Sequence, residues 1–249
     1  MEGSNGIAMH ISDGIIDLPA SALFGVLAIG WLALCLARAR ADLDDRLAPM
    51  AGLLAAFIFA VQMLNFPVLP GVSGHLLGGA LAVILVGPWV GALCVALVLL
   101  VQALLFADGG LSALGLNITN MAILTTVVAY GVVWTLLRVL PRTKPGLTAA
   151  AFVAALVSVV AGSQGFVLQY ALGGTTSLPV GAVAGAMGGY HLLIGIGEGL
   201  ITAATVGAVA AVRPDLVYAL RGFRRAVVLE TAPSARPAPH APASESAAA

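Results

Sequence analysis

The chain contains four histidines, and histidine is the side chain best suited to transition-metal chemistry. His10 precedes the first long apolar segment, His75 begins a short apolar segment, His191 begins the last one, and His240 lies near the C-terminus. Neutral imidazole is the commonest protein ligand for transition metals. Such nitrogen donors favour nickel, cobalt, copper or zinc over magnesium and calcium, which prefer oxygen. Metal capture is therefore the first functional hypothesis.

A single acidic residue, Glu198, falls inside an expected apolar helix, seven residues after His191. At helical spacing the two side chains share nearly the same face, so they could form a second polar pathway. A structural hydrogen bond is the favoured alternative, because buried polar groups on membrane helices commonly pair with neighbouring helices. Its candidate partners are Gln62, Gln102, Gln164 and Gln169.

The composition indicates that the helices carrying these residues lie in a membrane. Of 249 residues 60% are hydrophobic and 9% are charged, with a mean hydropathy of +1.05. Residues 47–107 and 145–197 contain no Asp, Glu, Lys or Arg, which excludes a transmembrane β-barrel with its alternating polar residues. Eleven basic and eleven acidic residues balance, so nothing indicates nucleic-acid binding. The sequence predicts a multi-pass protein of the cell (inner) membrane, in contact with lipid.

We predict an all-α bundle of about seven transmembrane helices. Every Lys and Arg lies near residues 38–46, near 138–144 or after 212, and the positive-inside rule makes these regions cytoplasmic. The N-terminus is then outside, the C-terminus is cytoplasmic, and the number of crossings is odd, with five as the alternative to seven. The expected spans are residues 18–37, 50–66, 75–87, 89–107, 118–137, 147–170 and 191–212.

The short third span brings His75 into the interior. A helix over residues 75–87 is about 20 Å long, whereas the hydrocarbon core is about 30 Å thick. His75 should therefore lie below the outer surface, and the irregular segment 66–74 should line a polar cavity there. Residues 9–17, when extended, span up to about 30 Å. The N-terminal segment can thus reach His75, and we expect His10 and His75 to form a pair.

The chain divides into three expected regions. Residues 1–17 form an N-terminal metal-binding segment, residues 18–225 form the transmembrane bundle, and residues 226–249 form a disordered cytoplasmic tail rich in Ala, Pro and Ser. The single lysine, Lys144, is followed by Pro145, which excludes a nucleotide-binding P-loop. Any ATP chemistry would belong to a partner subunit.

Six segments together resemble the CbiM/NikM family, the substrate-capture membrane subunits of energy-coupling-factor cobalt and nickel importers. The similarity runs from about Met9 to Val212. The segments are MHISDG at residues 9–14, SGHLLGG at 73–79, VGPW at 86–89, VQALLFADGG at 101–110, GLNITNM at 115–121 and HLLIGIGE at 191–198.

The resemblance implies a seven-helix bundle with the N-terminal Met-His threaded into its centre. The implied ligands are the amine and backbone nitrogen at Met9 and His10 and the imidazoles of His10 and His75. The implied partners are a small accessory membrane subunit, a scaffold transmembrane subunit and ATPase subunits. The metal ion is the transported substrate, without any organic cofactor, and the chain is not an enzyme.

One departure concerns the amine ligand. In the family the methionine of Met-His is the first residue, whereas residues 1–8 precede Met9 here. Either translation starts at Met9, which we favour, or a peptide nitrogen or water takes the amine's place. The sequence leaves the choice between cobalt and nickel open, because nitrogen ligands accept both.

Two other functions compete with metal capture. An intramembrane metal-dependent hydrolase would use His191 and Glu198, but the sequence lacks H-E-x-x-H and any serine or cysteine beside a base. A vitamin-capture subunit of the same transporter class would need aromatic walls around its cavity, and aromatic residues make up 6% of the chain.

Overall fold

The computed structural model describes residues 10–42, 47–69, 72–141 and 143–221. Met9, residues 1–8 and the expected disordered tail lie outside this part of the chain. Two short strands and seven helices make up the described fold. The strands are β1 (Asn65–Leu69) and β2 (Val72–His75), and the helices are α1 (Leu18–Asp42), α2 (Leu47–Gln62), α3 (Gly79–Val86), α4 (Pro88–Leu105), α5 (Leu114–Val139), α6 (Lys144–Gly173) and α7 (Val180–Val212).

The expected all-α membrane bundle is confirmed. Five helices, α1 and α4 to α7, are long and apolar enough to cross a bilayer, whereas α2 is shorter. Helix α3 has 8 residues, all of them buried. This short helix forms the centre of the molecule, packed among α4, α5 and α6. The chain is therefore a multi-pass membrane protein.

The cationic residues that the structure describes share one end of the bundle, which we call the basic end. Arg38 near the end of α1 lies over Trp89 at the start of α4, with 5.8 Å between guanidinium carbon and ring centre. The end of α5, the start of α6 and the end of α7 meet around a common cavity beside Lys144. The positive-inside rule assigns the end that carries the Lys and Arg residues to the cytoplasm. The orientation of the termini stays a prediction.

Two expected helix boundaries are wrong. Helix α3 begins at Gly79 rather than at His75, because Asn65–Leu69 and Val72–His75 pair as antiparallel strands where an irregular segment was expected. Helix α7 begins at Val180, so His191 lies three turns inside it rather than at its outer start. Residues 173–190 contain no Lys or Arg and were expected to form an outer loop. In apolar surroundings, however, backbone groups must be hydrogen-bonded within the chain, and a continued helix achieves this.

Helix α5 contains a π-helical turn at the level of the cavity described below. Its first residues, Leu114–Asn117, are α-helical, Ile118–Leu124 is π-helical, and Thr125–Val139 is α-helical again. A π-helical turn inserts extra backbone into a helix and re-aims the side chains around it. The side chains of Asn117, Asn120 and Met121 line the cavity.

Candidate metal site

The N-terminal segment is bound to the loop between α4 and α5. The Nδ1 atom of His10 lies 2.6 Å from Oδ1 of Asp108, and both side chains are buried. The backbone N–H of Ile11 donates to Asn117 Oδ1 at 3.3 Å, and the N–H of Gly110 donates to the Ile11 carbonyl at 2.9 Å. These bonds place His10 inside the bundle although residues precede it in the sequence.

Further bonds continue this attachment as far as α1. The backbone N–H and hydroxyl of Ser112 donate to Asp13 Oδ1 at 2.8 and 2.5 Å, and the Ser112 hydroxyl in particular lowers the pKa of the Asp13 carboxyl. The Thr175 hydroxyl donates to the Gly14 carbonyl at 2.5 Å. Asp17 caps α1 by accepting from the N–H of Ala20 at 2.9 Å. We call residues 10–17 the N-terminal strap.

The loop that carries Asp108 has an unusual backbone. Ala107 has a φ of 51° and Gly109 has a φ of 88°, both in the left-handed region that L side chains rarely adopt. A Cβ atom at Gly109 would lie 2.8 Å from the Cβ of His10, so the strap and the loop backbone are in close contact. Non-glycine residues in this region often occur where function requires a fixed geometry.

His75 lies directly beside His10. It is the last residue of β2, and its ring centre is 4.5 Å from that of His10, with the ring planes tilted by 57°. Its Nδ1–H donates to the carbonyl of Leu76 at 2.8 Å, so in the neutral ring Nε2 is the nitrogen that keeps its lone pair. The structure therefore brings together the two histidines expected to form a pair, whereas Met9 lies outside the described residues.

A small cavity of about 40 Å³ is located at this pair. That volume holds an ion or a few water molecules and is far below the usual size of a pocket for an organic ligand. The lining residues are His10, Ile11, His75, Leu77, Asn117, Asn120, Met121, Gly162, Ser163, Phe166, Met187 and His191.

His191 also faces this cavity, from α7. Its Nδ1–H donates to the Met187 carbonyl at 2.9 Å, one turn earlier in the helix. A Cβ atom at Gly74 would lie 3.3 Å from His191 Cε1 and 2.7 Å from Ile194 Cδ1. Glycine at position 74 therefore lets the hairpin approach α7 closely, next to His75.

Glu198 forms a structural contact, but its partners are not glutamine side chains. Its carboxylate accepts the backbone N–H of Leu77 at 2.5 Å and that of Gly78 at 2.9 Å. These donors precede α3, and Gly78 has a φ of 80°. Glu198 thus binds the N-terminal end of α3, where a carboxylate is favourable, and ties α7 to the segment that follows His75.

Two buried atoms in the cluster have no hydrogen-bond partner among the described residues: Nε2 of His10 and Oδ2 of Asp108. Buried polar atoms normally have a partner, so each such atom needs a reason. Within the same part of the chain, no group of three or more His, Cys, Asp or Glu side chains is arranged to hold a metal ion. An ion between His10 and His75 would therefore need backbone or solvent donors as well.

The sequence reasoning did not identify Asp108, Asn117 and Asn120 as site residues. Asn117 and Asp108 hold the strap, while Asn120 donates to Gln169 Oε1 at 2.7 Å. Both Asp108 and Asn117 lie within recognised family segments, but no spacing rule relates them to His10, which is 98 and 107 positions away. Asp108 could have been singled out, because it directly follows the uncharged residues 47–107, and an isolated charge beside an apolar span often has a function.

The fold and the site define a multi-pass membrane protein with a small histidine-lined cavity, as a metal-handling membrane component would have. Residues 10–216 match the family model of the cobalt uptake substrate-specific transmembrane region, CbiM, and the chain belongs to this family. It is a component of a metal transporter and not an enzyme.

Individual relatives agree with this assignment. A putative fused nickel transport protein of Archaeoglobus fulgidus is 43% identical, over 84% of this chain and 68% of the relative. The cobalt transport protein CbiM of Sorangium cellulosum is 33% identical, over 88% of this chain and 98% of the relative. A crystal structure of a transition metal transporter superposes with a TM-score of 0.73 at 27% identity, covering 88% of this chain and 99% of that one.

Proposed function

We propose that this chain is the substrate-capture subunit of an ATP-driven, energy-coupling-factor-type importer of nickel or cobalt. The observation that carries the proposal is the close approach of the buried His10 and His75 rings, whose centres are 4.5 Å apart at the edge of a small shared cavity. Two neutral imidazoles at this distance are suited to a borderline divalent cation that has lost part of its hydration shell.

Nitrogens at the start of the strap complete the proposed ligand set. Two imidazoles leave a four-coordinate ion with two open positions. By its resemblance to the family, the chain would supply the backbone nitrogen of His10 and the amine of Met9 at these positions. If Met9 is preceded by further residues in the mature protein, a peptide nitrogen or water takes the amine's position, and the metal affinity falls.

The transport cycle follows from the proposed orientation. The strap end faces outside and collects the ion, while the basic end faces the cytoplasm. The partners are a small accessory membrane subunit, a scaffold transmembrane subunit and ATPase subunits. ATP hydrolysis by these partners reorients the bundle and releases the ion inward.

The cavity and its contacts favour an ion over the two competing functions. A volume of about 40 Å³ has no room for a vitamin. A hydrolase using His191 and Glu198 would need a free carboxylate, whereas both oxygens of Glu198 accept backbone N–H groups.

The test is metal retention by the purified protein. We expect His75→Ala to lose bound nickel and cobalt, measured by elemental analysis after loading and desalting. His240→Ala, a matched histidine removal outside the described residues, should retain the wild-type metal content. An undiminished metal content in His75→Ala would contradict the proposal.

A second experiment addresses the amine ligand. Protein made from a start codon at Met1 should bind metal more weakly than protein beginning with Met9, as measured by isothermal titration with Ni²⁺ and Co²⁺. Equal affinities would show that the amine is not a ligand.

A further inference from the structure

We propose that the cavity at the basic end of the bundle binds an anionic phospholipid from the membrane leaflet at that end. An acyl chain of the lipid lies in the cavity, and the phosphate of its headgroup contacts the cationic residues at the mouth. The inference goes beyond metal capture and does not depend on the proposed function, because it concerns the opposite end of the molecule.

The first support is the size and the floor of this cavity. It lies where the end of α5, the start of α6 and the end of α7 meet, and it holds about 310 Å³, which is within the usual range of pockets for organic molecules. Its floor is formed by Leu137, Leu147 and Ala210, one from each of these helices, and all three are buried. Such side chains offer no hydrogen bond to a polar ligand, so the floor suits a hydrocarbon chain.

The second support is the mouth of the cavity. Pro141, Thr143 and Lys144 line it at the connection between α5 and α6, and all three are exposed. Lysine is charged at neutral pH, and its four-carbon stem can lie along apolar surface while the ammonium group stays in polar surroundings. Lys144 therefore borders both the aliphatic floor and the region where a headgroup would lie.

The third support is the charge around this mouth. Arg138, Arg213 and Arg221 each directly adjoin a lining residue in the sequence, so their Cα atoms lie about 3.8 Å from that of a lining residue. Among described residues within one position of the lining, Asp215 is the one acidic residue, and it pairs with Arg213 at 2.8 Å. Basic pockets between membrane helices bind anionic lipid headgroups, and this mouth has the same chemistry.

The lining distinguishes a whole lipid from simpler occupants. Water is a poor occupant of the floor, because aliphatic cavities stay dry and bind apolar molecules. A free phosphate ion would use the cationic mouth and leave the floor empty. A zwitterionic phospholipid would fill the floor but carries no net charge for the mouth. An anionic phospholipid satisfies both parts, and membranes supply its acyl chains at this depth.

The first experiment compares ligands on the purified full chain in detergent. Phosphatidylglycerol and phosphatidylcholine with identical acyl chains differ in headgroup charge, so native mass spectrometry should show phosphatidylglycerol bound about fivefold more tightly or better. Phosphatidylglycerol should also raise the melting temperature, whereas inorganic phosphate at the same concentration should not. Equal binding of the two lipids, or the same stabilisation by phosphate alone, would overturn the proposal.

The second experiment separates this cavity from general attraction to the basic end. Lys144→Ala should weaken phosphatidylglycerol binding by about fivefold and leave phosphatidylcholine binding unchanged. Arg40→Ala is the matched control, because it removes the same charge from an exposed position near the end of α1 that does not line the cavity. It should bind both lipids as wild type does, and equal losses in the two variants would contradict the proposal.

A third variant tests the floor. Leu220→Trp narrows the space for an acyl chain and should weaken the binding of both lipids. Unchanged lipid binding in this variant would show that the cavity is filled by another segment of the protein, and the proposal would then be wrong. Lys144 and Arg40 are both exposed, so their comparison decides the matter even if Leu220→Trp does not fold.

Discussion

Two of the cavities formed by the described residues lie at opposite ends of the bundle and differ greatly in size and lining. The cavity at the strap holds about 40 Å³ and is surrounded by His10, His75 and His191. The cavity at the basic end holds about 310 Å³, and its lining is mostly aliphatic around Lys144. Among the described residues that line the larger cavity, the only side-chain nitrogen is that of Lys144, which is charged at neutral pH. The smaller cavity is therefore the candidate metal site, because its lining carries imidazole nitrogens, whereas the size of the larger cavity does not make it one. The variants below test this difference between the two ends.

The largest effect is expected for Glu198→Ala at the strap-end site. The substitution leaves the backbone N–H groups of Leu77 and Gly78 without their acceptor, and each unsatisfied buried group costs about 1–3 kcal/mol. We expect the free energy of unfolding to fall by about 2–6 kcal/mol, measured by denaturation in detergent, together with a loss of metal affinity.

Asp215→Asn is the control for this loss at the basic end. It weakens an exposed ion pair with Arg213, and solvent screening leaves such a pair with little effect on stability. Equal losses of stability in the two variants would show that Glu198 is not a special contact.

A smaller effect is expected for Gly110→Ala. A Cβ atom at Gly110 would overlap the backbone nitrogen and carboxylate of Asp13, so the strap must shift. Overpacking costs about 1–3 kcal/mol, and metal affinity should fall by about 5–100-fold in isothermal titration. Gly181→Ala is the matched control, because a Cβ there has nothing within 4 Å; a wild-type affinity in Gly110→Ala would disprove the role of the strap.

Acidification should weaken metal binding through the histidines. Imidazole must be neutral to bind metal, so metal affinity should fall as the pH is lowered and protons compete for the ring nitrogens. The Ser112 hydroxyl in particular lowers the pKa of Asp13 from its ordinary value of 3.8, so the contribution of this carboxylate is lost only below that pH and the strap stays attached in this range. Affinity measured from pH 8 to 5 that shows no decline would argue against imidazole ligands.

The smallest effect is expected at the larger cavity. Leu220→Trp adds apolar volume to a space of about 310 Å³ at the basic end, far from the histidines. Metal affinity should stay within about twofold of wild type and thermal stability should be unchanged or slightly higher. A tenfold loss of metal affinity would show that the two ends are coupled in the isolated subunit.

Much of the fold could be predicted because apolar length and charge placement are direct physical constraints. The seven helices followed from the apolar segments and from the odd number of crossings that the Lys and Arg positions require. The pairing of His10 with His75 followed from residues 75–87 being too short to span a bilayer and from the reach of the N-terminal segment. The start of α7 could not be predicted, because glycines such as Gly181, Gly185 and Gly189 are common both in loops and in closely packed membrane helices.

Other parts of the site depend on contacts between distant residues. Asp108 meets His10 across 98 positions, and Glu198 meets Leu77 across 121. No periodicity relates such pairs. The expected glutamine partners of Glu198 were wrong because side chains alone were considered, whereas the donors are backbone groups freed at the N-terminal end of α3.

The contact between Glu198 and the start of α3 has a mechanical consequence. Because α7 is 33 residues long and its carboxylate holds the backbone two and three residues after His75, a tilt of this helix carries the histidine with it. His75 and the start of α3 are therefore mechanically coupled to α7, so that a force applied to this helix would move them together.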